Sequence, residues 1–207
     1  MAIHRHIHRL SISLVMGLLL PSLPAPALDA ADPGPRGKTM LSDFTPATAD
    51  FGWYVQNDNV MGGRSEGGFE QTPGELLFAG STNTRGGGFS SIRTRPLQLD
   101  LSNADGIQLH LKGDGRRYTW ELQTDARWRG RRVSYWADFD TPAGEWSTVN
   151  IPYTRFSPQY RGYQLDGPKL DPAQITAMAL YIYDKKDGPF ELRLSSIDSY
   201  SAQAPDD

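Results

Sequence analysis

From about residue 67 to residue 200 the chain is written in short runs that alternate apolar and polar positions, broken by Gly, Pro, Asn and Asp. In 106–112, Ile107, Leu109 and Leu111 point one way and Gln108, His110 and Lys112 the other. The same period sets Tyr118, Trp120 and Leu122 against Thr119, Glu121 and Gln123. It also sets Val133, Tyr135, Ala137 and Phe139 against Ser134, Trp136 and Asp138. A period of two marks strands with one apolar face. Strands are expected at 67–71, 75–81, 89–94, 106–112, 117–124, 132–139, 146–151, 176–183 and 189–200. Met178, Leu180, Ile182, Phe190, Leu192 and Leu194 join the apolar set, which leaves Tyr181, Tyr183, Glu191 and Arg193 facing outward. One helical turn is expected at 171–175, with Asp171 as cap and Pro172 in the first position. The stretch 113–116 reads as a hairpin turn between two strands. Strands that are apolar on one face need a second sheet to bury it. The expected fold is therefore all-β, a β-sandwich of jelly-roll type.

The N-terminal segment has a different pattern. Arg5 and Arg9 precede an uninterrupted apolar run at 10–20, and Ala25, Pro26 and Ala27 follow as a small-x-small cleavage pattern. Residues 1–27 read as a secretory signal peptide. The apolar run is too short to span a hydrocarbon core of ~30 Å as a helix. The chain is expected to be exported, periplasmic or secreted, and not integral to the membrane once cleaved. Residues 28–39 read as a flexible leader, 40–200 as the domain, and 201–207 as a polar tail.

Composition narrows the chemistry. The 207 residues include no Cys, which removes disulfides, thiol nucleophiles and Cys-ligated metals. Of four His, three lie in the first eight residues, so only His110 belongs to the domain and a multi-His metal site is excluded. The formal net charge is −3, which argues against an electrostatic nucleic-acid binder. No nucleophile elbow, phosphate loop, dinucleotide fingerprint or zinc motif is present, and no cofactor is expected. Glu121 and Asp138 fall on outward positions of neighbouring expected strands, a conceivable carboxylate pair for glycoside hydrolysis. Neither is marked for that role, and a non-catalytic binding domain is expected.

The candidate binding residues are the polar set His110, Glu121, Trp136, Tyr181, Tyr183 and Arg193. They share a surface if the middle strands are neighbours in one sheet. Rings beside carboxylate and guanidinium groups suit a glycan, and the same set suits a protein interface. A solvated face with scattered aromatics is the third reading. Arg127, Arg129, Arg131 and Arg132 surround Trp128 in an expected hairpin loop, read as solvated.

A second group of residues is defined by motif. Trp53 is followed by Asn57, Asp58 and Asn59, then Val60, Met61, Gly62, Gly63 and Ser65. Further on come Gly86, Gly87, Gly88, Phe89 and Arg93, and then Gly113, Asp114, Gly115 and Arg116. Asn, Asp and paired Gly suit a structural turn, while Asp58 and Asn59 are also oxygen donors of the kind calcium takes. The three glycines at 86–88 lead into a strand rather than a helix, so close backbone packing or a bulge is expected there, not a phosphate cradle. Arg93 and Arg116 are expected to pair with Asp58 or Asp114. In this order the motifs resemble the complex I intermediate-associated protein 30 family over roughly 40–200. The family is similar to galactose-binding-like β-sandwiches and includes a mitochondrial assembly chaperone for respiratory complex I. The resemblance implies that fold, and a protein-interaction role in NADH:ubiquinone oxidoreductase assembly. An export signal in place of a transit peptide sets this chain apart from the mitochondrial members.

Overall fold

In a computed structural model that describes residues 35–202, the alternating runs pair into two antiparallel sheets. The smaller sheet has six strands in the order β3 (Glu66–Thr72), β4 (Glu75–Thr82), β13 (Gly188–Ala202), β6 (Gly106–Asp114) and β9 (Ala143–Pro152). Its sixth strand, β1 (Pro35–Ser42), pairs with the far half of β13. The larger sheet runs β11 (Tyr163–Gln164), β10 (Ser157–Tyr160), β8 (Arg131–Asp140), β7 (Arg117–Trp128), β12 (Ala177–Ile182), β5 (Ser90–Arg93) and β2 (Tyr54–Val55). The expected turn at 171–175 is a 3-10 turn, Pro172–Gln174, capped by the Asp171 carboxylate accepting from the Ala173 N–H at 3.0 Å. Among the described residues no helix is long and apolar enough to cross a membrane.

The apolar faces read from alternation are the two inner faces. Leu109, Leu111, Leu192 and Leu194 on one sheet meet Trp120, Leu122, Tyr135 and Leu180 on the other, all fully buried in one continuous core. Each large side chain removed from water there contributes roughly 1.5–3 kcal/mol. Trp53 reaches this core from the segment before β2 and meets Trp120 edge-on at 6.4 Å between ring centroids.

Three expectations need correction. The stretch Gly113, Asp114, Gly115, Arg116 is not a hairpin turn. It begins with the last two residues of β6 in one sheet and leads into β7 in the other, so it is an arch across the sandwich. Alternation shows which face of a strand is apolar but not which sheet it joins. Second, the end of the expected leader, 35–39, lies in β1, and β13 continues to Ala202 at the start of the expected tail. β1 is an edge strand held by backbone bonds and interrupted by two irregularities in register, so it carries no alternation to read. The signal peptide at 1–27 lies outside the described residues. Third, Arg116 pairs with neither Asp58 nor Asp114. Its guanidinium grips Asp184 with two bonds, at 2.6 and 2.9 Å. It also donates to the carbonyls of Lys186, Gly188 and Pro189 and to the Thr82 hydroxyl. Asp114 instead accepts from the Tyr118 hydroxyl and from the Arg116 and Glu191 N–H groups. Together Asp114 and Arg116 close one end of the sandwich over both sheets.

The Arg116–Asp184 pair is largely out of water, and removal of one partner of such a pair leaves a buried charge. Arg116→Met is expected to lower stability by about 3 kcal/mol in urea denaturation. Hydrogen exchange should rise first at 184–189, because that loop loses the guanidinium that collects its carbonyls.

Candidate functional site

The outer face of the larger sheet carries Arg93 from β5, Glu121 from β7, Trp136 from β8 and Tyr181 from β12. Register brings them together: Glu121 is opposite Trp136 and Ala179, and Tyr181 is opposite Ser91 and Thr119. This face is not open to water as alternation implied. Glu121 is 1% exposed and Tyr181 4%. Two adjoining hollows lie over them, of about 430 Å³ and 210 Å³, and both are lined by Arg93, Trp136, Arg161 and Tyr181. They form one cleft.

The polar floor is bonded except at the Arg93 Nε, which is buried without a hydrogen-bond partner. The Glu121 carboxylate accepts from the Trp136 indole N–H at 2.6 Å, the Ser134 hydroxyl at 3.2 Å and the Gln123 amide. The Arg93 guanidinium lies 3.7 Å from it and donates to the Tyr181 hydroxyl. A buried carboxylate is tolerated only with such compensation. Burial, and then the neighbouring Glu121 charge, push the Tyr181 phenol well above its ordinary value. Trp136 packs on Tyr181 at 5.1 Å and on Tyr183 at 6.1 Å, and Phe89 packs on both tyrosines at 6.0 and 6.2 Å. The result is a ring-lined cleft with a rigid floor.

One wall of the cleft is built by the motif residues. Asp58 is fully buried in a 3-10 turn, Asp58–Met61. Its carboxylate accepts from the Ser65 N–H at 2.9 Å and the Ser65 hydroxyl at 2.7 Å. It also accepts from the Gly88 N–H at 2.6 Å and the Phe89 N–H at 3.3 Å. Gly63 and Gly87 press so close that a Cβ on either would stand 2.2–2.3 Å from the Asp58 side chain. The motif is thus a clasp between segments 57–65 and 83–89. Asn57 extends it, donating to the Gly67 carbonyl and accepting from the Ser90 hydroxyl. The clasp presents Val60 and Met61, 63% and 65% exposed, at the cleft rim. The Asp58 oxygens that the calcium reading would use face N–H and O–H donors instead. No cluster of three or more His, Asp or Glu suited to a metal occurs among the described residues.

The six-residue polar set divides. Glu121, Trp136, Tyr181 and Tyr183 meet in the cleft region. His110 and Arg193 belong to β6 and β13 and face outward on the opposite side of the sandwich. There His110 stacks on Trp146 at 5.2 Å and bonds Ser195, while Arg193 pairs with Glu75 and Glu191. The cause is two crossings between the sheets: the arch at 113–116 takes the chain from β6 to β7, and residues 183–187 take it from β12 back to β13. Sequence reading missed Tyr160 and Arg161, which come from the short β10–β11 hairpin with no alternation to mark it. Arg132 was assigned to a solvated loop and instead lines the smaller hollow.

Residues 42–194 match the profile of the family described as complex I intermediate-associated protein 30. The chain belongs to that family. It is 27% identical over 175 residues to the mitochondrial complex I intermediate-associated protein 30 of Mus musculus, covering 73% of this chain. That match spans 53% of the mouse protein, about half its length. An uncharacterized protein of Schizosaccharomyces pombe is 30% identical over 184 residues, covering 74% of this chain and 82% of that one. Among solved structures the fold is shared with the family 11 carbohydrate-binding module of Clostridium thermocellum, solved with a β-1,3-1,4-mixed-linked tetrasaccharide. The TM-score is 0.59 at 19% identity, covering 80% of this chain and 96% of the module. The two-sheet β-sandwich that the family resemblance implied is the fold observed.

Burial alone would raise the Asp58 carboxyl, but the hydrogen bonds from Ser65, Gly88 and Phe89 outweigh it and hold the carboxyl below the ordinary carboxylate value. A lowered folded-state pKa means stability that is present above the unfolded value and lost as pH falls through the folded one. Asp58→Asn turns two acceptors into one and aims an amide at N–H donors. The variant is expected to be less stable by about 1–3 kcal/mol at neutral pH. It should also lose stability less steeply than the native chain on acidification below about pH 4, where an unperturbed carboxylate begins to protonate. Urea titrations at a series of pH values measure both effects.

Proposed function

We propose that this chain is a non-catalytic binding domain that holds a protein partner in the cleft over its larger sheet, in an assembly role of the kind its family name describes. The observation that carries the reading is the exposed pair Val60 and Met61 on the lip of a cleft lined by Phe89, Trp136, Tyr181 and Tyr183. Exposed aliphatic side chains beside desolvated rings and guanidinium groups are what protein anchors use. The non-catalytic reading is supported by Glu121, which is buried with both oxygens engaged by donors and so is poorly placed to carry a proton to a substrate.

Carbohydrate binding is the second reading. It is favoured by the rings of Trp136 and Tyr181 set beside a fixed carboxylate and guanidinium, and by the fold shared with a sugar-binding module. Affinity purification with the tagged chain, beside a glycan array on the same material, separates the two. Recovery of respiratory complex I subunits supports the assembly role, and a glycan signal with no protein partner supports the module. On either reading, Trp136→Ala is expected to weaken binding by about 2 kcal/mol, roughly thirtyfold, without unfolding the sandwich.

We also propose export through residues 1–27. The mouse relative is named as mitochondrial, so compartment is not carried over from it. Cell fractionation with N-terminal sequencing is expected to find a mature chain beginning near Leu28 outside the cytoplasm. An intact Met1 in the cytoplasm would overturn export.

A further inference from the structure

The cleft carries a charge opposite in sign to that of the chain. Arg93, Arg132 and Arg161 line it, and Glu121 is the single carboxylate among its lining residues. Glu121 is sealed under Trp136 and already compensates Arg93. Arg132 and Arg161 are exposed, and neither makes an ion pair with a carboxylate among the described residues. Two guanidinium groups, those of Arg131 and Arg161, lie over the one Tyr160 ring at 4.9 and 5.5 Å from its centroid. A ring can hold cations in place through its quadrupole, but it does not neutralise them. In a protein of formal net charge −3, an unneutralised positive patch inside a concave, ring-walled site concentrates field lines and draws an anion.

We propose that the cleft recognises an acidic peptide segment of the partner, with an Asp or Glu carboxylate seated between Arg132 and Arg161 and an apolar side chain on Val60 and Met61. The inference rests on the protein-partner reading and names the chemistry of that partner. Guanidinium groups bind carboxylates through two parallel, charge-assisted bonds, which sets orientation as well as affinity. Tyr160 is the positioning residue: its ring holds Arg161 near the hollow before any ligand arrives. The aliphatic lip favours a peptide over an acidic polysaccharide, because a sugar chain has no aliphatic side chain to place there.

The test is selection of a random displayed peptide library on the full chain, followed by fluorescence anisotropy of the enriched peptides. Enriched peptides are expected to carry Asp or Glu within reach of an apolar residue, and to bind less tightly as salt rises. Arg132→Glu combined with Arg161→Glu should weaken them roughly tenfold or more, the scale of a lost charge-assisted contact. Arg127→Glu, the same charge change outside the cleft, should weaken them much less. If the reversed pair disturbs folding, as circular dichroism would show, Arg132→Gln with Arg161→Gln replaces it. Acidic peptides that bind the double variant as tightly as the native chain would overturn the proposal. So would enriched peptides that are neutral or basic; if those still lose binding with Trp136→Ala, the protein-partner reading survives and only the acidic partner is lost. Polygalacturonate, run in parallel, binding in an Arg132- and Arg161-dependent way with no peptide enriched, would overturn both in favour of an acidic glycan. An absence of any ligand that distinguishes the native chain from Trp136→Ala removes the cleft as the site.

Discussion

The wall of the cleft hangs on one buried carboxylate. Asp58 is fully buried and has no cationic partner among the described residues, and its charge is balanced by four donors contributed by Ser65, Gly88 and Phe89. An anion in that position is stable only while both segments around it stay in place, because every donor belongs to a segment the anion holds. This reciprocity makes an irregular stretch of chain rigid. It explains why glycine is needed at 63 and 87, where any side chain would displace the carboxylate. Val60, Met61 and Phe89 project into or beside the cleft from the two segments so joined. That wall of the cleft is therefore loop-built but is positioned like part of the sandwich.

The floor of the cleft follows the same physics with the charges arranged differently. Glu121 and Arg93 are both needed, since either alone would be an uncompensated charge beneath aromatic rings. Trp136 is oriented by its bond to Glu121, and Tyr181 by its bond from Arg93, so the rings of the cleft are held by the polar groups of its floor. Such preorganisation lowers the ordering cost of binding. The chain belongs to the complex I intermediate-associated protein 30 family and shares its fold with a carbohydrate-binding module, and a shared fold does not choose a ligand. The chemistry of the lining, rather than the sandwich, has to do so.

Much of this was legible in the residues. The strands carrying the core were marked by alternation, including Ala177–Ile182 in one sheet and Gly188–Ala202 in the other. The turn at Pro172–Gln174 was marked by its cap. The motif around Asp58 was recognisable as special because Asn, Asp and paired glycines have few other uses together. Its partner, the glycine run before Phe89, was legible as a place of close packing. The pairing of the two was not, because the Gly88 N–H that reaches Asp58 is thirty residues away along the chain.

The sequence by itself determined which face of each strand would be apolar, and hence that two sheets had to close on one core, because burial of apolar surface is a local property of alternation summed over the chain. It also determined the family, since motif order needs no coordinates. Tertiary structure alone decided which outer face each polar residue joins. The arch at 113–116 and the crossing at 183–187 each send consecutive strands to opposite sheets, separating His110 and Arg193 from Glu121, Trp136 and Tyr181. It also decided that Glu121 and Tyr181, polar by pattern, would be buried beneath aromatic rings and beside loops that the Asp58 clasp holds in place. Those outcomes depend on contacts between residues distant in sequence, and periodicity along a strand carries no information about what the rest of the chain lays over it.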